Sequence, residues 1–317
     1  MLNKGYKVYG LSRRENPSES DNLAHIKNEI HFINGDITNQ ESVALALKQS
    51  RPDEVYNLAA QSFVAGSWEA PQVSAQTNTL GVVNILEAIR GTKPDTRFYQ
   101  ASSSEMFGQG LETPQNENTP FKPCSPYGIS KLYAHLMTAN YREAYGLFTC
   151  CGILYNHESE RRGYEYVTRK ITAAAASIAK GKQTCLELGN LSASRDWGYA
   201  GDYVAAMHLM LRHHTPDDYV VATGQTHTVR EFAAKAFAAA GINLRFEGEG
   251  LAEVGIENRT GETRLRVNPV FFRPVEVGML VGDPQKVTQV LGWKRNVSFD
   301  ALIERMVKND IEIIEKG

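Results

Sequence analysis

Hydrophobic residues in the first half of the chain fall in short runs that alternate with amphipathic stretches. The runs predict strands at 7–12, 30–34, 54–60, 98–102 and 147–155. The amphipathic stretches predict helices at 41–49 and 75–89, and a further helix that starts at Ser125-Pro126. Strands that alternate with helices build a parallel sheet covered on both faces, so the pattern predicts a doubly wound α/β fold.

Beyond Tyr155 this alternation weakens, which predicts a smaller C-terminal α/β region. Predicted helices cover 167–180, 203–212, 229–240 and 299–315, and a predicted strand covers 219–223. The stretch 246–266 is charged and punctuated by glycine, so we predict a loop there.

Composition changes this picture little. The chain has 317 residues, 42% hydrophobic and 22% charged, with a net charge of −2, which argues against nucleic-acid or membrane partners. The four cysteines (Cys124, Cys150, Cys151 and Cys185) show no metal or redox spacing, and an apolar run of about 18 residues is absent. We therefore expect a cytoplasmic protein without a signal peptide.

The first candidate chemistry is a tyrosine and a lysine four residues apart. Ser125 suits a helix N-cap and Pro126 the first helical position, so Tyr127 and Lys131 share one helical face. A neighbouring ammonium favours the phenolate form of tyrosine, which needs a pKa shift of roughly three units to act as a base near pH 7. The alternative is an ordinary amphipathic helix with a surface lysine.

The second candidate is a polar cluster that follows a buried strand, Ser102-Ser103-Ser104-Glu105. Ligands of open α/β sheets bind beyond the carboxyl ends of the strands, where hydroxyls bond a substrate alcohol and Glu105 can act as acid or base. The alternative is a serine-rich turn with a solvated glutamate.

With these residues in view, the chain resembles the extended short-chain dehydrogenase/reductase family and, within it, the GDP-mannose 4,6-dehydratases. The similarity runs from about Gly5 to Asp310. It rests on the blocks 56–62, 98–107, 125–132, 152–159, 167–172, 195–198 and 272–276. Asn-His-Glu-Ser at 156–159, followed by a pair of arginines, is the most specific of these, whereas Tyr-x-x-x-Lys alone is not specific.

The resemblance implies a Rossmann-like fold and an internal redox cycle on GDP-mannose with bound NADP. Tyr127 would be the base at the C4 hydroxyl, Ser103 would hold that hydroxyl, and Lys131 would assist Tyr127 and bind the nicotinamide ribose. Glu105 would remove the C5 proton and help the C6 hydroxyl leave as water. The product would be GDP-4-keto-6-deoxy-mannose.

The resemblance also implies binding residues. For the cofactor they are Arg13, Arg14, Asp36, Ile37, Leu58, Ala59, Ala60, Gln61, Ser62, Lys131, His157 and Arg162. For the nucleotide sugar they are Asn156, Lys170, Arg195, Arg273 and Glu276. Arg13 and Arg14 follow the fold's second strand, where a cation favours NADP over NAD. Alternatives stay open: a solvated pair for Arg13-Arg14, an Arg195–Asp196 ion pair, and a core histidine for His157.

A dinucleotide-binding sheet normally opens with a strand and a glycine-rich turn facing the pyrophosphate, and this sequence shows no such turn. Residues 1–5 instead resemble the end of a helix with Gly5 as its left-handed stop. Elements of ordinary length predict roughly 20–30 absent residues, including a central strand. We therefore expect a shortened version of a longer enzyme rather than a degenerate relative.

The domain and partner predictions follow from the same resemblance. A dinucleotide-binding domain is expected at 1–157 plus about 190–228, and a nucleotide-sugar domain at about 158–189 and 229–317. A homo-oligomer, dimer or tetramer, is expected, with no metal. Two rivals remain: a related nucleotide-sugar 4-epimerase or GDP-4-keto-6-deoxy-mannose reductase, and an inactive chain.

Overall fold

The computed structural model describes residues 1–13, 22–109, 112–271 and 279–316. The chain divides into two compact units. The first comprises Met1–Met106, Pro123–Ile153 and Met210–Tyr219, and the second Phe107–Lys122, Leu154–Leu209 and Val220–Gly317. The functional division into a dinucleotide-binding and a nucleotide-sugar domain stays a prediction.

The elements follow the predicted alternation. The strands are β1 (Val8–Ser12), β2 (Ile30–Asn34), β3 (Glu54–Asn57), β4 (Arg97–Ser103), β5 (Thr149–Leu154), β6 (Asn156–Glu158), β7 (Leu186–Leu188), β8 (Ser194–Arg195), β9 (Trp197–Tyr199), β10 (Asp218–Val221), β11 (His227–Thr228), β12 (Leu244–Glu247), β13 (Val254–Glu257) and β14 (Thr263–Val267). The helices are α1 (Gln40–Ser50), α2 (Gly66–Glu69), α3 (Pro71–Ala75), α4 (Gly81–Thr92), α5 (Pro126–Tyr145), α6 (Val167–Ala179), α7 (Ala200–Arg212), α8 (Val229–Ala239), α9 (Gln285–Leu291) and α10 (Phe299–Lys316).

Two parallel sheets form the first unit. Strands β1 and β2 pair in parallel, and a four-stranded sheet has the order β10-β5-β4-β3, with β3 parallel to β4. Strands β4 and β5 are buried almost throughout, and Cys150 and Cys151 lie in β5 as buried free thiols. The predicted parallel α/β architecture is confirmed.

Among the described residues, the pair β1-β2 and the four-stranded sheet are separate sheets. Strand β3 is the edge of its sheet, and no strand among the described residues pairs with both β1 and β3. A hydrogen bond from Tyr6 Oη to Glu54 Oε1 (3.1 Å) links the segment before β1 to β3. Gly5 adopts the predicted left-handed conformation, with φ of 79°, and its N–H donates to Leu2 O.

A common core joins the helices around these sheets. Ile37, Val43 and Leu47 pack with Ile85 and Leu86 of α4. The predicted single helix at 75–89 is wrong in detail, because it is preceded by α3 and interrupted by a π-helical turn, Gln76–Leu80. This turn carries a buried asparagine, Asn78.

The second unit corrects one prediction. The stretch 246–266, predicted to be a loop, forms β13, most of β14 and the end of β12, in a sheet of order β12-β13-β14-β7. The charges that suggested a loop are paired: Arg264 Nη2 lies 2.9 Å from Glu257 Oε2, and Arg266 Nε donates to Glu187 Oε1 at 2.7 Å. Leu265 and Val267, which alternate with these arginines, are buried.

Helices α6, α8 and α10 lie where the sequence predicts helices, and they pack together around the main core of the second unit. Ala174, Ala175 and Ala176 of α6 are buried in this core region. A buried ion pair, Arg169 Nη2 to Asp310 Oδ1 at 2.7 Å, joins α6 to α10. Among the described helices, none is both long and apolar enough to cross a lipid bilayer.

Candidate active site

Helix α5 begins as the sequence predicts. Ser125 is the N-cap, its Oγ accepts from Gly128 N (3.0 Å), and Pro126 occupies the first helical position. The N–H of Tyr127 donates to Ser67 Oγ at 3.2 Å, which ties the first turn to α2. The Tyr127 backbone is therefore fixed by interactions that do not use its hydroxyl.

Gly128 allows this helix start to touch the polar turn after β4. A Cβ at Gly128 would lie 2.7 Å from the carbonyl oxygen of Glu105, closer than real Cβ contacts. Any larger residue would push the two segments apart. Glycine therefore brings the backbone beside Tyr127 against the backbone of Glu105.

The predicted hydroxyl cluster lies at the carboxyl end of β4. Ser103 is the last residue of the strand and Ser104–Met106 form a 3-10 turn. The N–H of Glu105 donates to Ser103 Oγ at 3.2 Å, so Ser103 orients the turn that carries Glu105. Ser102, Ser103 and Ser104 are all buried and Glu105 is half-buried, which argues against the alternative of a serine-rich turn with a solvated glutamate.

Lys131 is held between β4 and Tyr127. Its Nζ donates to Ala101 O at 2.9 Å and lies 5.8 Å from the centre of the Tyr127 ring. The residue is 4% exposed, and burial lowers the pKa of Lys131 to about 8. It is therefore not a surface lysine, and it remains largely charged at pH 7, where its ammonium favours a phenolate nearby.

Asn78, which was not among the predicted site residues, is buried beside them. It lies on the π-helical turn and is 2% exposed. Its Oδ1 accepts from Gln61 N (2.8 Å), and its Nδ2 donates to Gln61 O (3.0 Å) and to Ser130 Oγ (2.9 Å). Because Ser130 Oγ donates to Tyr127 O at 2.8 Å, Asn78 connects the loop after β3 to helix α5. Asn78 is flanked by Gln76, Thr77 and Thr79, so no local pattern in the sequence singles it out.

The loop that Asn78 clamps contains five of the predicted cofactor residues. Leu58, Ala59 and Ser62 are exposed, and Ala60 and Gln61 are half-buried. Exposed apolar side chains such as Leu58, directly after β3, suit the face of a planar ligand ring.

The residues predicted for the adenine side follow β1 and β2. Asp36 N donates to Ser42 Oγ (2.9 Å), and Arg13 Nη1 lies 3.8 Å from Asp36 Oδ2. The side chain of Ile37 is buried in the core, and its carbonyl accepts from Asn84 Nδ2 at 2.8 Å, so it can contribute backbone contacts to a ligand. Arg14 lies outside the described residues.

Three predicted residues of the second unit lie on or near β6. Asn156 Nδ2 donates to Asp196 O at 3.4 Å. His157 stacks on Tyr203 at 5.1 Å, and its Nδ1 lies 2.8 Å from Tyr155 O. Arg162 Nε is 3.1 Å from Glu158 Oε2, and its guanidinium lies 3.5 Å from the centre of the Tyr166 ring. His157 is thus half-buried and oriented by a carbonyl.

The remaining predicted cations are held by carbonyl and ring contacts. Lys170 Nζ lies 3.5 Å from the centre of the Phe271 ring, and burial lowers the pKa of Lys170. Arg195 Nη1 donates to Ser194 O at 2.8 Å. The Asp196 carboxylate accepts from the N–H groups of Thr223 (2.9 Å) and Gly224 (3.0 Å). Arg273 and Glu276 lie outside the described residues.

Solved structures of the same fold support this architecture. The UDP-glucose 4-epimerase of Thermus thermophilus, solved with NAD, superposes with a TM-score of 0.80 at 26% identity, covering 98% of this chain and 92% of that one. RMD from Pseudomonas aeruginosa, solved with NADPH, has a TM-score of 0.79 at 20% identity over 97% of this chain and all of that one, and shows the fold alone. Fold and site together define a Rossmann-type short-chain dehydrogenase/reductase.

Sequence comparison narrows this class. The family model for GDP-mannose 4,6 dehydratase matches residues 1–306. GDP-mannose 4,6 dehydratase 1 of Arabidopsis thaliana is 47% identical over all of this chain and 86% of that protein. The Sinorhizobium fredii GDP-mannose 4,6-dehydratase is 46% identical over 99% of this chain and 92% of that protein. The chain belongs to the GDP-mannose 4,6-dehydratase family.

Proposed function

We propose that this chain dehydrates GDP-mannose to GDP-4-keto-6-deoxy-mannose in an internal hydride cycle with NADP. Family membership supports this reaction. The observation that carries it is the contact of two catalytic segments at Gly128, where the base-bearing helix meets the turn that carries Glu105. An oxidation followed by an elimination needs two proton-transfer groups, and these segments supply a phenol and a carboxyl group.

The described residues fit a nicotinamide dinucleotide. Lys131 carries three N–H donors, of which Ala101 O takes one, so its ammonium suits a ribose hydroxyl. Arg13, with a side chain 69% exposed beside Asp36, suits a 2′-phosphate and favours NADP. The bound cofactor would supply a reversible hydride acceptor. His157 and Arg162 are further proposed contacts.

The side chains then divide the proton chemistry. Tyr127, as phenolate, takes the proton of the C4 hydroxyl, which Ser103 holds by a hydrogen bond. The resulting C4 carbonyl acidifies the C5 proton, which the Glu105 carboxylate removes. The protonated Glu105 gives that proton to the C6 hydroxyl, which leaves as water, and Tyr127 passes the proton that it took from the C4 hydroxyl to C5. In the second unit, Asn156, Lys170 and Arg195, with Arg273 and Glu276, are proposed to bind the nucleotide sugar.

Glu105→Gln separates this reaction from its rivals. The wild-type chain with NADP should convert GDP-mannose to a product lighter by one water, as measured by mass spectrometry. Glu105→Gln should lose that product while oxidation at C4 persists, and Glu143→Gln, an exposed change on α5, should behave as wild type. An unchanged sugar mass with wild type would favour an epimerase, and no NADPH binding by fluorescence titration would favour an inactive chain.

A homo-oligomer also stays a proposal. Ile129, Tyr133 and Leu136 are exposed at i, i+4 and i+7 on α5, an apolar face that an assembly would cover. Light scattering of wild type and of Leu136→Glu would test it, because the variant should be smaller if this face is an interface. A cytoplasmic location remains a prediction.

A further inference from the structure

A buried polar chain lies beside the catalytic strand in the first unit and takes no part in the proton chemistry above. Ser102 Oγ is 3.1 Å from His135 Nδ1, and His135 Nε2 is 4.0 Å from Asp218 Oδ2. Arg142 Nη2 lies 2.7 Å from the same carboxylate oxygen. Ser102 is 3% exposed and His135 6% exposed, so this chain is sealed from solvent at its inner end.

The surroundings of the imidazole decide its tautomer. Burial lowers the pKa of His135, so the ring is neutral and has one donor and one acceptor nitrogen. Nε2 faces the Asp218 carboxylate, which accepts hydrogen bonds and would repel a nitrogen lone pair. This arrangement favours the tautomer with the proton on Nε2, in which Nδ1 accepts a hydrogen bond from the Ser102 hydroxyl.

The same cluster could be interpreted as a metal site. Ligand atoms of His135, Cys151 and Asp218 lie within 4.8 Å of one another, a donor set that zinc accepts. However, Arg142 occupies Asp218 Oδ2, and the Cys151 N–H donates to Oδ1 at 3.0 Å. Burial also raises the pKa of the Cys151 thiol, which disfavours the thiolate that a metal needs. The geometry favours a hydrogen-bonded chain.

We propose that His135 is a positioning residue that fixes the end of β4 against α5. The helix holds the strand at two successive residues: Lys131 donates to Ala101 O, and His135, one turn further on, accepts from Ser102. Ser102 directly precedes Ser103, so the second contact sets where the Ser103 hydroxyl lies relative to Tyr127. Asp218 and Arg142 anchor the imidazole from behind.

Three variants test this inference, which rests on the proposed function for its kinetic measurements. His135→Leu removes the acceptor, His135→Asn keeps an amide near the Nδ1 position, and Ser102→Ala removes the hydroxyl. We expect His135→Leu and Ser102→Ala each to lower kcat about tenfold with little change in KM, because misplaced groups lose rate before binding. His135→Asn should recover most of the loss, and the double variant Ser102→Ala/His135→Leu should be no worse than either single variant.

Nitrogen NMR of the imidazole supplies a measurement independent of turnover. Subtracting the spectrum of His135→Asn assigns the His135 signals, which should show a neutral ring protonated at Nε2 at pH 7. A proton on Nδ1, a kcat of His135→Leu within twofold of wild type, or an equal loss in His135→Asn would overturn the proposal. If His135→Leu fails to fold, Ser102→Ala and His135→Asn decide it. If wild type does not turn over GDP-mannose, the proposed function falls, and the NMR result still decides the tautomer.

Discussion

The two parallel sheets of the first unit differ in how far their strands are buried. Every residue of β5, and of β4 after Arg97, is buried, whereas β1 has no buried residue. The proposed catalytic groups follow β4 and pack on it, while Arg13 and Asp36 follow the half-exposed pair β1 and β2. The proposed catalytic groups thus lie on a buried sheet and the proposed phosphate contact at a more exposed one. We therefore expect substitutions to lower the rate in the first region and the cofactor affinity in the second.

The largest effect is expected at Tyr127, on helix α5, which packs on the buried strand β4. Tyr127→Phe removes the proposed base but keeps the backbone bond to Ser67, so it should lower kcat about 10²–10⁴-fold without loss of fold. NADPH affinity should change little. Tyr133→Phe, an exposed change on the same helix, is the matched control in steady-state assays. Equal kcat values for the two variants would contradict the role of Tyr127.

The second largest effect is expected at Asn78, because it links the loop after β3 to helix α5. Asn78→Ala removes three hydrogen bonds and leaves the backbone N–H and carbonyl of half-buried Gln61 without these partners, while Ser130 Oγ keeps its bond to Tyr127 O, which should lower the free energy of unfolding by about 3 kcal/mol. Asn84→Ala, which removes a hydrogen bond to Ile37 O, should cost about 1 kcal/mol in the same urea titration. Similar losses for both would show that Asn78 is not a special clamp.

The buried ammonium of Lys131 predicts a pH dependence. Its folded-state pKa, about 8, lies below the ordinary 10.5, so between these values the unfolded chain holds a proton that the folded chain has released. Stability relative to Lys131→Met should therefore rise with pH from 8 to 10.5, by at most about 3 kcal/mol, and stay level below pH 8. Denaturant titrations at several pH values measure this difference. A flat difference across the window would show that the ammonium is solvated.

The smallest effect is expected on the exposed sheet, at Arg13. Arg13→Ala should raise the Kd for NADPH about tenfold, a loss of ~1.4 kcal/mol, and leave the Kd for NADH unchanged, because NADH lacks the 2′-phosphate. Lys48→Ala, which removes one exposed charge on α1, controls for net charge in the same fluorescence titration. Equal weakening of both cofactors would place Arg13 elsewhere on the dinucleotide.

Local signals account for most of what the sequence predicted. Ser125-Pro126 encodes the start of α5 within three residues, and the apolar run before Ser103 encodes a buried strand, so both were predicted correctly. The strands β13 and β14 were missed because their outward-facing charged residues obscure the inward-facing positions, which are Gly255 in β13 and Leu265 and Val267 in β14. The two strands are stabilised by pairing with each other, which a local pattern does not reveal.

The roles of Asn78 and His135 depend on long-range contacts, so they could not be predicted from local sequence patterns. Asn78 acts through Gln61 and Ser130, which are 17 and 52 residues away, and its π-helical turn has no strong sequence signature. His135 likewise acquires its setting from Ser102 and Asp218, on two different strands. Such roles arise when distant segments meet, whereas caps and periodicity are read within a few residues.

In the proposed reaction, Tyr127 and Glu105 transfer protons at neighbouring carbons of one sugar, so that the hydrogen removed from C4 returns at C6. A single turnover of GDP-mannose carrying deuterium at C4, in the presence of unlabelled NADP, tests this directly. We expect a dehydrated product with the deuterium on C6, as located by NMR. A dehydrated product with no deuterium at C6, or a sugar that still carries its C6 hydroxyl, would contradict it.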